Sequence, residues 1–275
     1  MNMERPPSES RMSARSIVHL MYHEIELPGR PMCQSELGYV RYIVSEADFR
    51  AQLQWLQSAG WRGMSVPEAL KYPDELGVAI TFDDGCETDL LTTAPLFKAA
   101  AFNATFYITV GFLGKPGYLS ANQLRSLSDL GFDIGCHSMT HAYLSDLDLR
   151  GLRRELTEPK LRLEQITGRT VEHFSCPGGR WDRRVAELAR EAGYKSVATS
   201  RNSANSIRTD PFSLGRVAVM RDTPLSVFQQ ICRGSGLWQR QVVDLTRATA
   251  KELMGNTGYD ALRGLLLSRG KAAGR

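Results

Sequence analysis

The cysteines are few and badly placed for cross-linking. Cys33, Cys86, Cys136, Cys176 and Cys232 are odd in number and scattered, with no CxxC pair. That spacing argues against a disulfide framework and against a cysteine-based zinc site. Free thiols suit a reducing compartment. No run approaches the roughly 18 apolar residues of a membrane span. The opening MNMERPPSESRMSARS is polar and charged, without the apolar region of a signal peptide. A cytoplasmic protein is therefore expected. No dense lysine or arginine block and no nucleic-acid signature appear. The 34 basic and 30 acidic residues leave a net charge of only +4, too weak to argue for a nucleic-acid partner.

What is present is ordinary for a globular chain: 42% hydrophobic and 23% charged residues. The 275 residues fit one or two domains. Residues 1–15 read as a disordered leader, 16–240 as a catalytic domain, and 241–275 as a basic, helical C-terminal extension. The extension could be a solvated helix or could touch an anionic membrane surface. Between these ends, strands alternate with helices. Apolar or β-branched runs such as GVAITF, NATFYITV, FDIGCHS, VEHFSCP, YKSVATS and GRVAVM mark strands. Helices open on capping signals at Ser45–Asp48, Ser120–Gln123 and Asp182. Another is expected over Asp89–Ala101, and a long one over Leu147–Thr167, with Pro159 a possible kink. Such alternation indicates βαβ units and a parallel sheet. About seven strands fit a barrel, whose chemistry belongs at the C-terminal strand ends.

Four motifs sit at such ends. AITFDDG runs a buried strand into Asp83 and Asp84. Side chains alternate across a strand, so the two acids cannot share a face while the strand continues. They could cap the next helix. Alternatively, Asp84 could ligate a metal while Asp83 faces a bound water as base. HSMTH places His137 and His141 four apart, on one face of a helix or tight turn. The pair could be a hydrogen-bonded cluster, or, with one carboxylate, an open zinc site. Pro177, Gly178 and Gly179 in FSCPGGRWD make either a plain turn or a loop whose backbone N–H groups hold an oxyanion. His23 ends the strand VHLMYHEI and is either a structural histidine or a general acid; His19 reads as buried.

Together these motifs resemble the polysaccharide deacetylase (NodB-homology) family, over roughly Ile17 to Arg233. TFDDG and HSMTH stand as the family's first two motifs. The resemblance implies an α/β fold, a distorted (β/α)7 barrel, and metal-dependent removal of an N-acetyl group from an amino sugar in a glycan, glycoside or glycan precursor. It implies Asp83 as general base, Asp84, His137 and His141 as metal ligands, and Pro177, Gly178 and Gly179 at the oxyanion. The ion implied is Zn2+, with Co2+, Ni2+ or Mn2+ as alternatives that such ligands accept. Two departures stand out. The arginine that orients the base is replaced by Ser175, which leaves Arg180, Arg201 and Arg216 as candidates. The family's late Leu-x-His is missing, since no histidine follows His173. HLMYHEI resembles the circularly permuted branch, which implies His23 as the acid. An amidohydrolase of a non-sugar amide, cyclic imide or ureide, and an inactive glycan-binding member, are the alternative readings.

Overall fold

The computed structural model describes residues 16–241. The leader over 1–15 lies outside these residues, as does the extension expected over 241–275, apart from its first residue. The chain opens with β1 (Val18–Tyr22), β2 (Glu24–Glu26), α1 (Leu37–Val40), β3 (Ile43–Ser45), α2 (Glu46–Ser58), β4 (Arg62–Met64) and α3 (Val66–Lys71). It continues through β5 (Gly77–Phe82), α4 (Ala94–Ala100), β6 (Thr105–Ile108), α5 (Ala121–Asp129), β7 (Asp133–Cys136) and α6 (Leu149–Thr167). The last elements are β8 (His173–Ser175), α7 (Arg183–Glu191), β9 (Ser196–Ala198), β10 (Val217–Ala218) and α8 (Leu225–Cys232).

All pairings of the main sheet are parallel, in the order β10-β1-β5-β6-β7-β8-β9, with β4 added beside β5. The first strand thus lies between the last strand and β5. The two outer strands approach each other across a seam. There Ala198 bridges Leu214, Leu214 N–H donates to Val197 O at 2.9 Å, and Thr199 N–H donates to Leu214 O at 2.8 Å. This seam curls the sheet into a barrel.

Capping behaves as the sequence indicates. Ser45 Oγ accepts from Asp48 N–H, and the Ser120–Gln123 box is formed in both directions. Asp182 caps α7. The helix expected from Asp89 instead opens with a π-helical turn, Asp89–Thr93, before α4. Pro159 is accommodated inside α6.

Alternation sorts the strands into two faces. Val18, Leu20 and Tyr22 of β1 and Val78, Ile80 and Phe82 of β5 join the core beneath the helices. Phe82 stacks on Tyr22 and on Phe106, each with centroids 5.2 Å apart. Burying each such ring contributes about 1.5–3 kcal/mol. The opposite face carries His19, Thr81, Thr105, His173 and Ser175, all buried. The barrel interior is therefore polar, and its groups converge on the strand ends.

Candidate active site

Strand β5 stops at Phe82, and the two acids follow. Asp83 continues the inward side of Ala79 and Thr81, and its N–H donates to Tyr22 O at 3.0 Å. Strict alternation would turn Asp84 outward. Asp84 instead adopts φ +77°, and Gly85 follows at +83°, where an added Cβ would lie 3.1 Å from Ile108 Cδ1. The left-handed pair swings both carboxylates to one imidazole. His137 Nε2 lies 3.9 Å from Asp83 Oδ2 and 3.7 Å from Asp84 Oδ1.

His137 extends β7 by one residue, with its N–H donating to Ile108 O at 2.9 Å. Its Nδ1 is 2.9 Å from Ser175 O. A carbonyl can only accept, so Nδ1 carries the proton and Nε2 presents its lone pair to the acids. His141 Nε2 lies 3.3 Å from Asp84 Oδ1. The two histidines are not on a helix. They bracket a turn in which Ser138 and His141 have φ of +71° and +64°. Such non-glycine conformations cost about 1–3 kcal/mol each, and here Glu155 holds the turn. Its carboxylate accepts from Met139 N–H at 2.8 Å, Thr140 N–H at 2.9 Å and Thr140 Oγ1 at 2.7 Å. Ser138 Oγ accepts from His141 N–H.

Ligand atoms of Asp84, His137 and His141 all lie within 4.8 Å of one another. Asp84 Oδ1 is buried without a hydrogen-bond partner. Burial pushes the Asp84 carboxyl up to about 6, despite the opposing pull of His23. Burial also holds His137 down at about 3 and lowers His141. Two neutral imidazoles and an orphaned carboxylate oxygen, locked in strained backbone, are a donor set that fits a divalent cation.

Asp83 has a different environment, although it is equally buried. Burial alone would raise its carboxyl, but the Arg216 guanidinium more than reverses this and holds it well below the usual carboxylate range. Arg216 Nη1 donates to Asp83 Oδ1 at 2.7 Å and Nη2 to Asp83 Oδ2 at 2.8 Å. The same guanidinium reaches Thr81 Oγ1, Ser175 Oγ and Thr199 O. Among the three candidate arginines, Arg216 alone makes this contact. Arg180 lies over the Tyr143 ring, and Arg201 turns to Ser213. Arg216 fits beside Ser175, whose small hydroxyl makes room for it and accepts one of its hydrogen bonds at 2.7 Å.

His23 also reaches this end of the barrel. Its ring packs on Tyr42 with centroids 4.6 Å apart and stands edge-on to Tyr39. Burial lowers its basicity, while Asp84 and Asp83 pull the other way. Pro177–Gly179 form a single tight turn. Gly179 N–H and Arg180 N–H are used inside it, donating to Cys176 O and Pro177 O. Gly178, at φ +59°, packs where a Cβ would meet Tyr143 Cε1 at 2.7 Å. Thr81, Glu155, Tyr42 and the contact of Ser175 with Arg216 were not legible in the sequence. Each depends on residues far apart in the chain.

The polysaccharide deacetylase family profile matches residues 71–197. The chain is 31% identical over 147 residues to the peptidoglycan-N-acetylglucosamine deacetylase of Bacillus cereus, covering 53% of this chain and 64% of that protein. It is 25% identical over 241 residues to the poly-beta-1,6-N-acetyl-D-glucosamine N-deacetylase of Staphylococcus aureus, covering 79% and 83%. It spans 65% of the length of another relative, YxkH of Bacillus subtilis, so it covers less than two thirds of two of these relatives. Among solved structures, the Streptococcus pyogenes deacetylase PplD, in complex with acetate, superposes with a TM-score of 0.71 at 21% identity, covering 80% of this chain and 99% of that one. Over residues 71–197 and in the aligned stretches of these relatives the chain is thus similar to polysaccharide deacetylases, and it shares the fold of PplD.

Proposed function

We propose that this protein is a metal-dependent de-N-acetylase of an amino sugar carried in a glycan, a glycoside or a glycan precursor. The observation that carries this reading is the divergent treatment of two adjacent carboxylates. Asp84 Oδ1 is left without a hydrogen-bond partner beside two neutral imidazoles, while Asp83 is clamped in its ionised form by Arg216. Asp84, His137 and His141 would hold the ion, Zn2+ by preference, which when bound supplies Lewis-acid activation of water and of the acetyl carbonyl.

The chain's own residues perform the proton transfers. Asp83, ionised and fixed at the strand end, takes the proton of the attacking water. Arg216 keeps that carboxylate charged and aimed. The Gly178 N–H, which the tight turn does not use, is the donor offered to the developing oxyanion. His23 gives its proton to the departing amine nitrogen, and Tyr42 fixes the plane of its ring. The role of His23 follows from its approach to the site from β1, the strand between β10 and β5; this is the arrangement a circularly permuted member would have. Five free thiols suit a reducing compartment, and localisation of the tagged full chain tests a cytoplasmic site. No helix among the described residues is long and apolar enough to cross a membrane.

The test is acetate release measured across N-acetylhexosamine oligomers, nucleotide-linked and lipid-linked sugars, and cyclic imides, together with metal content. Asp84→Ala is expected to lose both metal and turnover. Asp83→Asn is expected to keep metal and lose turnover by about 100- to 10,000-fold. An Asp83→Asn enzyme near wild-type activity would sink the assignment of the base, and turnover of cyclic imides alone would replace the sugar substrate.

A further inference from the structure

The fold assembles a second set of metal-ligating side chains, separate from Asp84, His137 and His141. One Glu24 carboxylate oxygen and the Sγ atoms of Cys33 and Cys86 all lie within 4.8 Å of one another. Each comes from a different piece of chain. Glu24 opens β2, Cys33 sits in the loop before α1, and Cys86 follows the Asp83–Gly85 turn. Glu24 and Cys86 are buried, whereas Cys33 is half-buried and gives access from solvent. Sequence spacing argued against a cysteine-based site, yet the fold brings these two thiols together.

Asp89 is the independent observation. It is 0% exposed, and neither of its carboxylate oxygens has a hydrogen-bond partner. Burial pushes its carboxyl up, followed by the nearby Cys33 and Glu24. Burial is likewise the largest influence on Glu24 and pushes that carboxyl up too. Hydrogen bonds serve the cluster only in part. Cys33 N–H donates to Glu24, Cys33 Sγ donates to Gly117 O at 2.9 Å, and the Tyr39 hydroxyl lies 3.2 Å from Cys86 Sγ.

We propose that Glu24, Cys33 and Cys86 form a thiolate–carboxylate site for Zn2+, with its fourth position open to water. Tetrahedral zinc, with Zn–S of about 2.3 Å and Zn–O of about 2.0–2.2 Å, sets ligand–ligand edges of about 3.4–3.8 Å. A modest contraction of the cluster meets that geometry. On binding, each thiol gives its proton to solvent and ligates as thiolate. The ion would fasten the loop that carries Cys33 to the segment just beyond Asp84, and to β2 just beyond His23.

The test loads the full chain, kept reduced and stripped of metal, with Zn2+ or Co2+. Wild type is expected to bind two ions per chain and to show a thiolate-to-cobalt charge-transfer band, which nitrogen and oxygen ligands do not give. Asp84→Ala is expected to bind one ion and keep the band. Cys33→Ser/Cys86→Ser is expected to bind one ion and lose it. Absence of the band from wild type overturns the proposal, as does its survival in the double cysteine variant. One ion in wild type that Asp84→Ala abolishes also overturns it, while leaving the catalytic reading intact.

Discussion

Arg216→Met removes a guanidinium that is 1% exposed and makes five hydrogen bonds, two of them to the Asp83 carboxylate. Asp83 is itself only 2% exposed, so the variant leaves a buried charge without its counter-charge. Breaking one side of such a pair costs about 3–5 kcal/mol. For a domain of this size that lowers the melting temperature by roughly 6–20 °C. Turnover should fall by about 100- to 10,000-fold, the range for loss of a general base, while the metal content set by Asp84, His137 and His141 is unchanged. Arg216→Lys keeps the charge but not the planar fork, and should fall between wild type and Arg216→Met in both measurements. The decisive assay is a double-mutant cycle with Asp83→Asn, read by urea unfolding. Removing both charges should cost less than the sum of the single variants by about 1–3 kcal/mol. Additive losses, or an Arg216→Met protein within 1 kcal/mol of wild type, would refute the claim that Arg216 serves Asp83.

Three further outcomes are expected. Glu155→Ala releases Met139 and Thr140 from the carboxylate that anchors them and should weaken metal binding about 10- to 100-fold, measured by competition with a chromophoric chelator; unchanged affinity would separate the turn from the ligands. His23→Ala should retain its metal and lose about 100- to 10,000-fold in turnover, and wild-type turnover would remove it from the chemistry. His19 is held neutral by burial, assisted by the Arg216 charge, at about 3 against an ordinary 6.5. The unfolded chain therefore binds its proton first as pH falls. Its contribution is intact above about pH 6.5 and declines at about 1.4 kcal/mol per pH unit towards 3. His19→Leu should flatten the urea-unfolding stability profile by that slope, and an identical profile would show that His19 is not the group involved.

The parts of the site that were legible in the sequence are those that short chain segments fix. TFDDG and HSMTH each bring their chemistry within five residues, so the strand-end acids and the histidine pair stand out without any knowledge of topology. The alternating elements likewise announce a parallel sheet, because helices such as α5 and α7 carry their own caps. The partner of Asp83 could be narrowed only to three arginines. Arg216 is adjacent to a two-residue strand and reaches Asp83 across the barrel, a relation that no local pattern encodes. The small β2–β3 pair is too short to leave a periodic trace, although it positions Glu24 beside His23. Helix α3 is also short, and only its Ser65–Glu68 capping box marks it. The turn at HSMTH shows a further limit: spacing gives two histidines on one side, but not the left-handed residues that aim them.

The seam between β9 and β10 has a consequence for how this protein fails. Residues 214–218 close the barrel with a few backbone hydrogen bonds, and Arg216 rides on that narrow strip. Peeling the strip away would withdraw the guanidinium from Asp83 while the aromatic layer around Phe82 stayed packed. Warming should therefore extinguish turnover before the helices melt, with amide exchange at Leu214 and Arg216 rising in step with the loss. Catalytic output would then serve as a gauge of whether the barrel is shut.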